Sequence, residues 1–178
     1  MFKFFRKKQR NLSVREAVFG LEDGLVSTLG AIVGIAVGTN NTPVIILSGL
    51  VILAVESLSM GAGSFLSNET AEMIHERSEK KARRESIRAG MVMIAAYLVG
   101  GFVPLISYFF LPPSQAVLLS VAMTVVALSG VGFWAGRVSG RNPWKTSVEM
   151  VVVSISAAAV GYLIGRGVSM FFGIDIPT

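Results

Sequence analysis

Two acids interrupt an apolar run. The stretch Phe19–Gly38, FGLEDGLVSTLGAIVGIAVG, carries Glu22 and Asp23 side by side. A helix that crosses a bilayer needs about 20 apolar residues at about 1.5 Å each. Only residues 24–38 separate Asp23 from Thr39, so this helix cannot cross unless Asp23 lies within the hydrocarbon. A second stretch, VIILSGLVILAVESLSMGAGSFLS from Val44, carries Glu56. Helical rise puts Glu56 about 18 Å along that stretch, close to mid-bilayer. Glu56, Met60 and Ser64 share one face at i, i+4 and i+8, as Asp23 and Ser27 do on the first stretch. On antiparallel helices joined by a short turn, Asp23 and Met60 fall at nearly the same depth, with Glu56 about one turn deeper.

A carboxylate in hydrocarbon costs on the order of 2.5–3.5 kcal/mol on insertion scales, less when it is off-centre. A fixed countercharge would offset that cost. Arg166 is the basic residue well inside an apolar stretch, but it sits about 15 Å from Glu56 along the membrane normal, too far for an ion pair. Lys145 or Arg15 can extend towards Asp23, and neither reaches Glu56 easily. Protons or a mobile cation must then neutralise the acids, which is the pattern of an ion pathway. The soft thioether of Met60 beside two carboxylates suits a borderline divalent metal better than Mg2+ or Ca2+. The candidate path residues are Asp23, Glu56 and Met60, with Glu22 and Ser64 beside them. In a purely structural reading, Glu56 stays protonated and donates one hydrogen bond between helices.

Elements long enough to hold these residues are plain in the composition. Of 178 residues, 52% are hydrophobic and 15% are charged, against about 25% charged in a soluble domain; mean hydropathy is +0.65. The chain reads as an all-α membrane protein with five spans, at about 18–38, 44–66, 89–111, 115–136 and 148–172. Thr39–Pro43 and Pro112–Ser114 turn the chain between spans. Residues 1–15 form a basic segment, and 16–178 form one transmembrane domain. The lysines and arginines cluster before Arg15, between residues 68 and 88, and between residues 137 and 147, leaving the other two connections bare. The positive-inside rule therefore puts the amino terminus in the cytoplasm and the carboxyl terminus outside. The same clustering beside spans points the net charge of +5 at the lipid surface and away from nucleic acid. With no cysteine, disulfides and thiolate metal sites are excluded. Glycines 20, 24, 30, 34 and 38 give the first span a small-residue stripe, for packing within the chain or for a dimer seam.

Residues 68–88 read as a cytoplasmic amphipathic helix. Glu69, Glu72, Glu76 and Glu79 recur at 0, 3, 7 and 10, with His75 beside them. They form either a cation-collecting strip that feeds the path or a solvated face stabilised by the pairs Glu76–Lys80 and Glu79–Arg83. Glu149 and Met150, at the start of the fifth span, are further ligand candidates; Glu149 equally fits a helix N-terminal charge.

At these residues the chain resembles the vacuolar iron transporter family. Asp23-Gly24-Leu25-Val26-Ser27 is similar to that family's first-span motif, and Ser59-Met60-Gly61-Ala62-Gly63 to its second-span S-M-x-x-G motif. The turn Gly101 to Pro104 and the closing Tyr162–Arg166 also look similar. The resemblance implies export of Fe2+, and often Mn2+, from the cytosol against proton influx, by a homodimer with its path between protomers. Asp23 and Met60 match the family's path residues directly. The family's second-span acid usually falls at the position of Ile52 here, many members have Asn at Glu22 or Glu at Ser64, and the cytoplasmic insert is longer in members with a folded metal-collecting domain. The expectation is a proton-coupled Fe2+ or Mn2+ exporter without bound cofactor or enzymatic activity. It would be multi-pass and dimeric through the first span, in a prokaryotic cell membrane or a vacuole-type membrane. The rivals are a non-transporting metal sensor or adaptor that uses the acidic strip, and an exporter of organic cations. The latter would need an aromatic-lined pocket, whereas spans one and two hold only Phe19 and Phe65.

Overall fold

A computed structural model describes residues 2–74 and 79–172, with side chains described over 13–73 and 80–172. It is all-helical: α1 (Phe2–Thr39), α2 (Thr42–Ile74), α3 (Glu79–Ile106), α4 (Pro113–Ser139) and α5 (Pro143–Phe172), with a 3-10 turn at Ser107–Phe109 after α3. All five are long and apolar enough to cross a membrane. Each begins before its expected span, and α1, α2 and α4 also run past its end, whereas α3 stops at Ile106, short of the expected 111. The expected limits were drawn where apolar residues stop, but backbone hydrogen bonding does not stop at the lipid boundary. Of the expected helix over 68–88, residues 68–74 belong to α2 and residues 79–88 to α3, and residues 75–78 lie outside the described residues.

Local chemistry sets the turns. Asn40 ends α1 in the left-handed region at φ 46°, and Asn41 Oδ1 accepts the Val44 amide to open α2. Pro113 opens α4, and Gly140 closes it at φ 74° with Arg141 N–H returning to the Gly136 carbonyl. Asn142 Oδ1 then caps α5 through the amides of Trp144 and Lys145.

α3 is the most deeply buried span and α1 the next. α1 lies chiefly against α3 and α5, with α2 and α4 closing the bundle. A core around Tyr97, Leu53, Ile32 and Leu105 joins α1, α2 and α3, and a second around Leu25, Leu128 and Met150 joins α1, α4 and α5. Outer faces carry Leu47, Val51, Val55, Leu118, Val126 and Leu163, all exposed, as lipid contact requires. The first-span glycines are used within the chain. Gly24 admits the Tyr97 backbone of α3, and Gly30 and Gly34 lie on Ala157 and Gly161 of α5. A Cβ at Gly24 or Gly34 would collide with backbone, and one at Gly30 would be tight against it.

Candidate metal path

The path builds from the α1–α3 contact. Because Gly24 and Gly101 carry no side chain, α1 and α3 approach until Tyr97 is fully buried between them. Its hydroxyl then falls between α1 and α2. It donates to Glu56 Oε2, and Ser27 Oγ completes the chain at 2.5 Å. With its single proton directed to Glu56, Tyr97 Oη accepts from Ser27. Three helices are thus tied at one height by Ser27, Tyr97 and Glu56. Among the described residues no lysine or arginine pairs with Glu56.

A second tie lies nearer the amino-terminal end of α1. Glu16 is 3% exposed, and its Oε2 accepts from Ser64 Oγ at 2.9 Å. Its Oε1 accepts from Arg15 Nη2 at 2.6 Å and, at a longer 3.4 Å, from Asn68 Nδ2. The two ties fix the register of α1 against α2. Ser27 pairs in height with Glu56, and Glu16 with Ser64. Asp23 is then one turn below Ser27, and Met60 one turn below Glu56, so the height match expected for Asp23 and Met60 follows from hydrogen bonds made by their neighbours. Asp23 is half-buried and within electrostatic reach of Glu56. Met60 is half-buried and packs on the core that contains Tyr97. Glu22, also half-buried, lies in the field of Asp23. Two carboxylates, a thioether, a serine hydroxyl and a phenol line one stretch of the bundle, a mixed oxygen and sulfur set suited to a borderline divalent ion.

The other candidates divide. Ser64 faces the bundle, bound to Glu16. Glu69 is half-buried and Glu72 is buried, so the strip is not uniformly exposed: α2 continues past the membrane-spanning stretch and turns Glu72 towards its neighbours. His75 and Glu76 lie outside the described residues, as does the side chain of Glu79. Glu149 forms an exposed ion pair with Arg141 at 2.8 Å. Met150 is buried in the α1–α4–α5 core against Gly132, a packing position. Among the described residues no three His, Cys, Asp or Glu side chains form a ready-made metal cage.

Sequence reasoning missed Tyr97, Glu16 and Asn68. Tyr97 left no local signal within an apolar span. Glu16 did leave one. It precedes Asp23 by seven residues, which puts the two about 20° apart around α1. Asn68 continues the Glu56–Met60–Ser64 spacing by four.

On one side the path borders a groove between α1 and α5 of about 760 Å3, lined by Ser27, Gly30, Ala31, Gly34 and Ile35 of α1 and by Val153, Ala157, Val160 and Ile164 of α5 among others. Ser27 therefore belongs both to the Tyr97 tie and to this groove.

The VIT family profile matches residues 14–88 and 69–166. The chain is similar to vacuolar iron transporter 1 of Tulipa gesneriana, at 24% identity over 214 residues and 87% of each chain. It is similar to vacuolar iron transporter homolog 3 of Arabidopsis thaliana, at 31% identity over 171 residues, covering 90% of this chain and 85% of the relative. An uncharacterized protein of Methanocaldococcus jannaschii is 27% identical over 170 residues. With five helices able to span a bilayer, this is a multi-pass membrane protein, and by the breadth of the profile match the chain belongs to the VIT family.

Proposed function

We propose that the protein carries Fe2+ or Mn2+ out of the cytoplasm in exchange for protons, through a path that contains Asp23, Glu56 and Met60. One observation carries this reading. Two half-buried acids on facing helices share a stretch with a thioether, and among the described residues no basic side chain pairs with either. Such acids mark an ion route. The similarity to proteins named vacuolar iron transporters gives the cargo class. The outward direction is what the resemblance to that family implies, and the distribution of lysine and arginine supports a cytoplasmic amino terminus. The cycle needs no bond to be made or broken. A divalent ion displaces protons from Asp23 and Glu56, moves on, and protons from the far side return the acids to their starting state. The α1–α5 groove supports a homodimer. It is apolar, it opens beside Ser27, and a second copy seated there would close the path from lipid.

The test is a flux assay in liposomes. The parent protein should move Fe2+ and Mn2+ faster when a proton gradient opposes the metal movement. Asp23→Asn keeps the shape and removes the charge, and should abolish that flux. An Asp23→Asn protein that transports as fast as the parent would refute the role given to Asp23.

A further inference from the structure

Glu16 is a buried carboxylate on the same bundle, and the path residues do not account for it. Its position is informative. Glu16, Asp23 and Ser27 occupy about 40° of arc on α1, and Glu16 lies about 10 Å from Asp23 along the axis. From α2 come Ser64 and Asn68, which continue the face that begins with Glu56 and Met60. The amide of Asn68 has only one workable orientation. Its Nδ2 faces three acceptors, the Ser64 carbonyl at 2.7 Å, Ser64 Oγ at 3.3 Å and Glu16 Oε1 at 3.4 Å. Its Oδ1 therefore turns the other way, towards Arg15 Nη2 at 3.5 Å.

Arg15 is the unusual member. Residues i and i+1 do not face each other on a helix, so the Arg15 side chain must fold over the α1 surface to reach Glu16. It does so with two nitrogens on one oxygen, Nη2 at 2.6 Å and Nε at 3.1 Å. The guanidinium bridges acceptors from α1 and α2 while its side chain stays 67% exposed. Glu16 is the reverse, with a side chain 4% exposed. The anion is thus built into the bundle and its countercharge is attached from outside. An exposed ion pair contributes little and is readily exchanged, whereas a buried carboxylate needs some cation or proton at all times.

We propose that Glu16, Ser64 and Asn68 form a second cation station on the path and that the Arg15 guanidinium is a tethered occupant which a divalent cation must displace. Arg15 leaving would free Glu16 Oε1 and Asn68 Oδ1, and with the Ser64 hydroxyl already on Glu16 Oε2 these make a hard oxygen set that accepts Mn2+ or Fe2+. A cation held there is already on the helix face that leads to Asp23. The proposal rests on the transport reading above, and its consequence is competition: Arg15 and the metal exclude each other.

The experiment measures Mn2+ binding to purified protein in detergent, by the loss of the free-ion electron paramagnetic resonance signal, beside Mn2+ flux in liposomes. Arg15→Gln removes the competitor and should tighten binding at this station and lower the KM for flux by about fivefold, the equivalent of one partly exposed ion pair. Arg15→Lys keeps a charge without the fork and should fall between the two. Glu16→Gln should remove one bound Mn2+ and raise the KM. Lys81→Gln, on the exposed start of α3, removes the same charge from the same end and should leave the binding curve where it was. A folded Arg15→Gln protein whose Mn2+ affinity is unchanged or weaker overturns the proposal, and so does Lys81→Gln shifting the curve equally. Parent protein that binds Mn2+ in competition with Arg15 but shows no flux sustains the station and removes the transport reading.

Discussion

Tyr97 donates to Glu56 and accepts from Ser27, so a single phenol oxygen holds three helices at one height. The two ends of that bond should separate by mutation. Tyr97→Phe keeps the ring in the core and deletes the hydroxyl, leaving Glu56 short of a donor. A hydrogen bond to a charged group contributes about 1.5–3 kcal/mol, so the melting temperature in detergent should fall measurably. Glu56→Gln behaves differently. Its amide oxygen still accepts from Tyr97, so stability should stay near the parent while metal flux is lost with the charge. If Tyr97 acts through Glu56, the double variant should be no less stable than Tyr97→Phe alone, a coupling that a thermal-shift cycle measures. Equal destabilisation by both single variants would remove the distinction between a positioning hydroxyl and an ion-binding carboxylate. Asp23 and Glu56 were legible as candidates because an acid within an apolar run carries its own signal. Tyr97 was not, since its role exists only once α3 is packed against α1.

That packing is a property of elements. α1 and α3 meet through Gly24 and Gly101, where a methyl group on Gly24 would run into the Tyr97 carbonyl. Overpacking at such a contact costs about 1–3 kcal/mol, and here it would also move the Tyr97 hydroxyl relative to Glu56. Gly24→Ala should therefore lower both the melting temperature and the flux. Gly63→Ala is the matched control, since it sits on α2 with nothing within 4 Å of an added Cβ. In a helix it should be neutral or stabilising by up to about 1 kcal/mol. Comparable losses from the two variants would show that close α1–α3 contact does not set the geometry. The existence of five helices was readable from hydropathy alone, because a bilayer demands long apolar runs. Their limits were not, since α2 runs on to Ile74 and α3 begins at Glu79, within the charged stretch. Glu16 lies two residues before the expected start of the first span, whereas α1 is helical through it and buries it. Which glycines serve which neighbour was equally unreadable: the stripe at 20, 24, 30, 34 and 38 changes partner midway, from α3 to α5.

At the scale of the whole molecule, the question is what covers the open side of α1. Gly30 and Gly34 are occupied by α5, but the groove beside them is apolar and reaches Ser27. Lipid alone there would put hydrocarbon next to the proposed ion path, and desolvation would oppose a divalent cation at Ser27. A two-fold partner resolves this, since an isologous contact brings the same α1 face from both copies together. The chain offers a clean way to ask, because it contains no cysteine. Ala31→Cys puts a thiol on the α1 wall of the groove. Leu118→Cys puts one on the outward face of α4, where Leu118 is 75% exposed. In native membranes a short bifunctional thiol reagent should convert the Ala31→Cys protein to a covalent dimer and leave the Leu118→Cys protein monomeric on a denaturing gel. A symmetric contact demands that residues near the axis meet their own copies, so cross-linking should also decline along α1 from Ala31 towards positions turned to α3. Efficient capture at Leu118 with none at Ala31 would move the interface to α4 and leave the α1–α5 groove facing lipid, and the path would then have to be closed within a single chain.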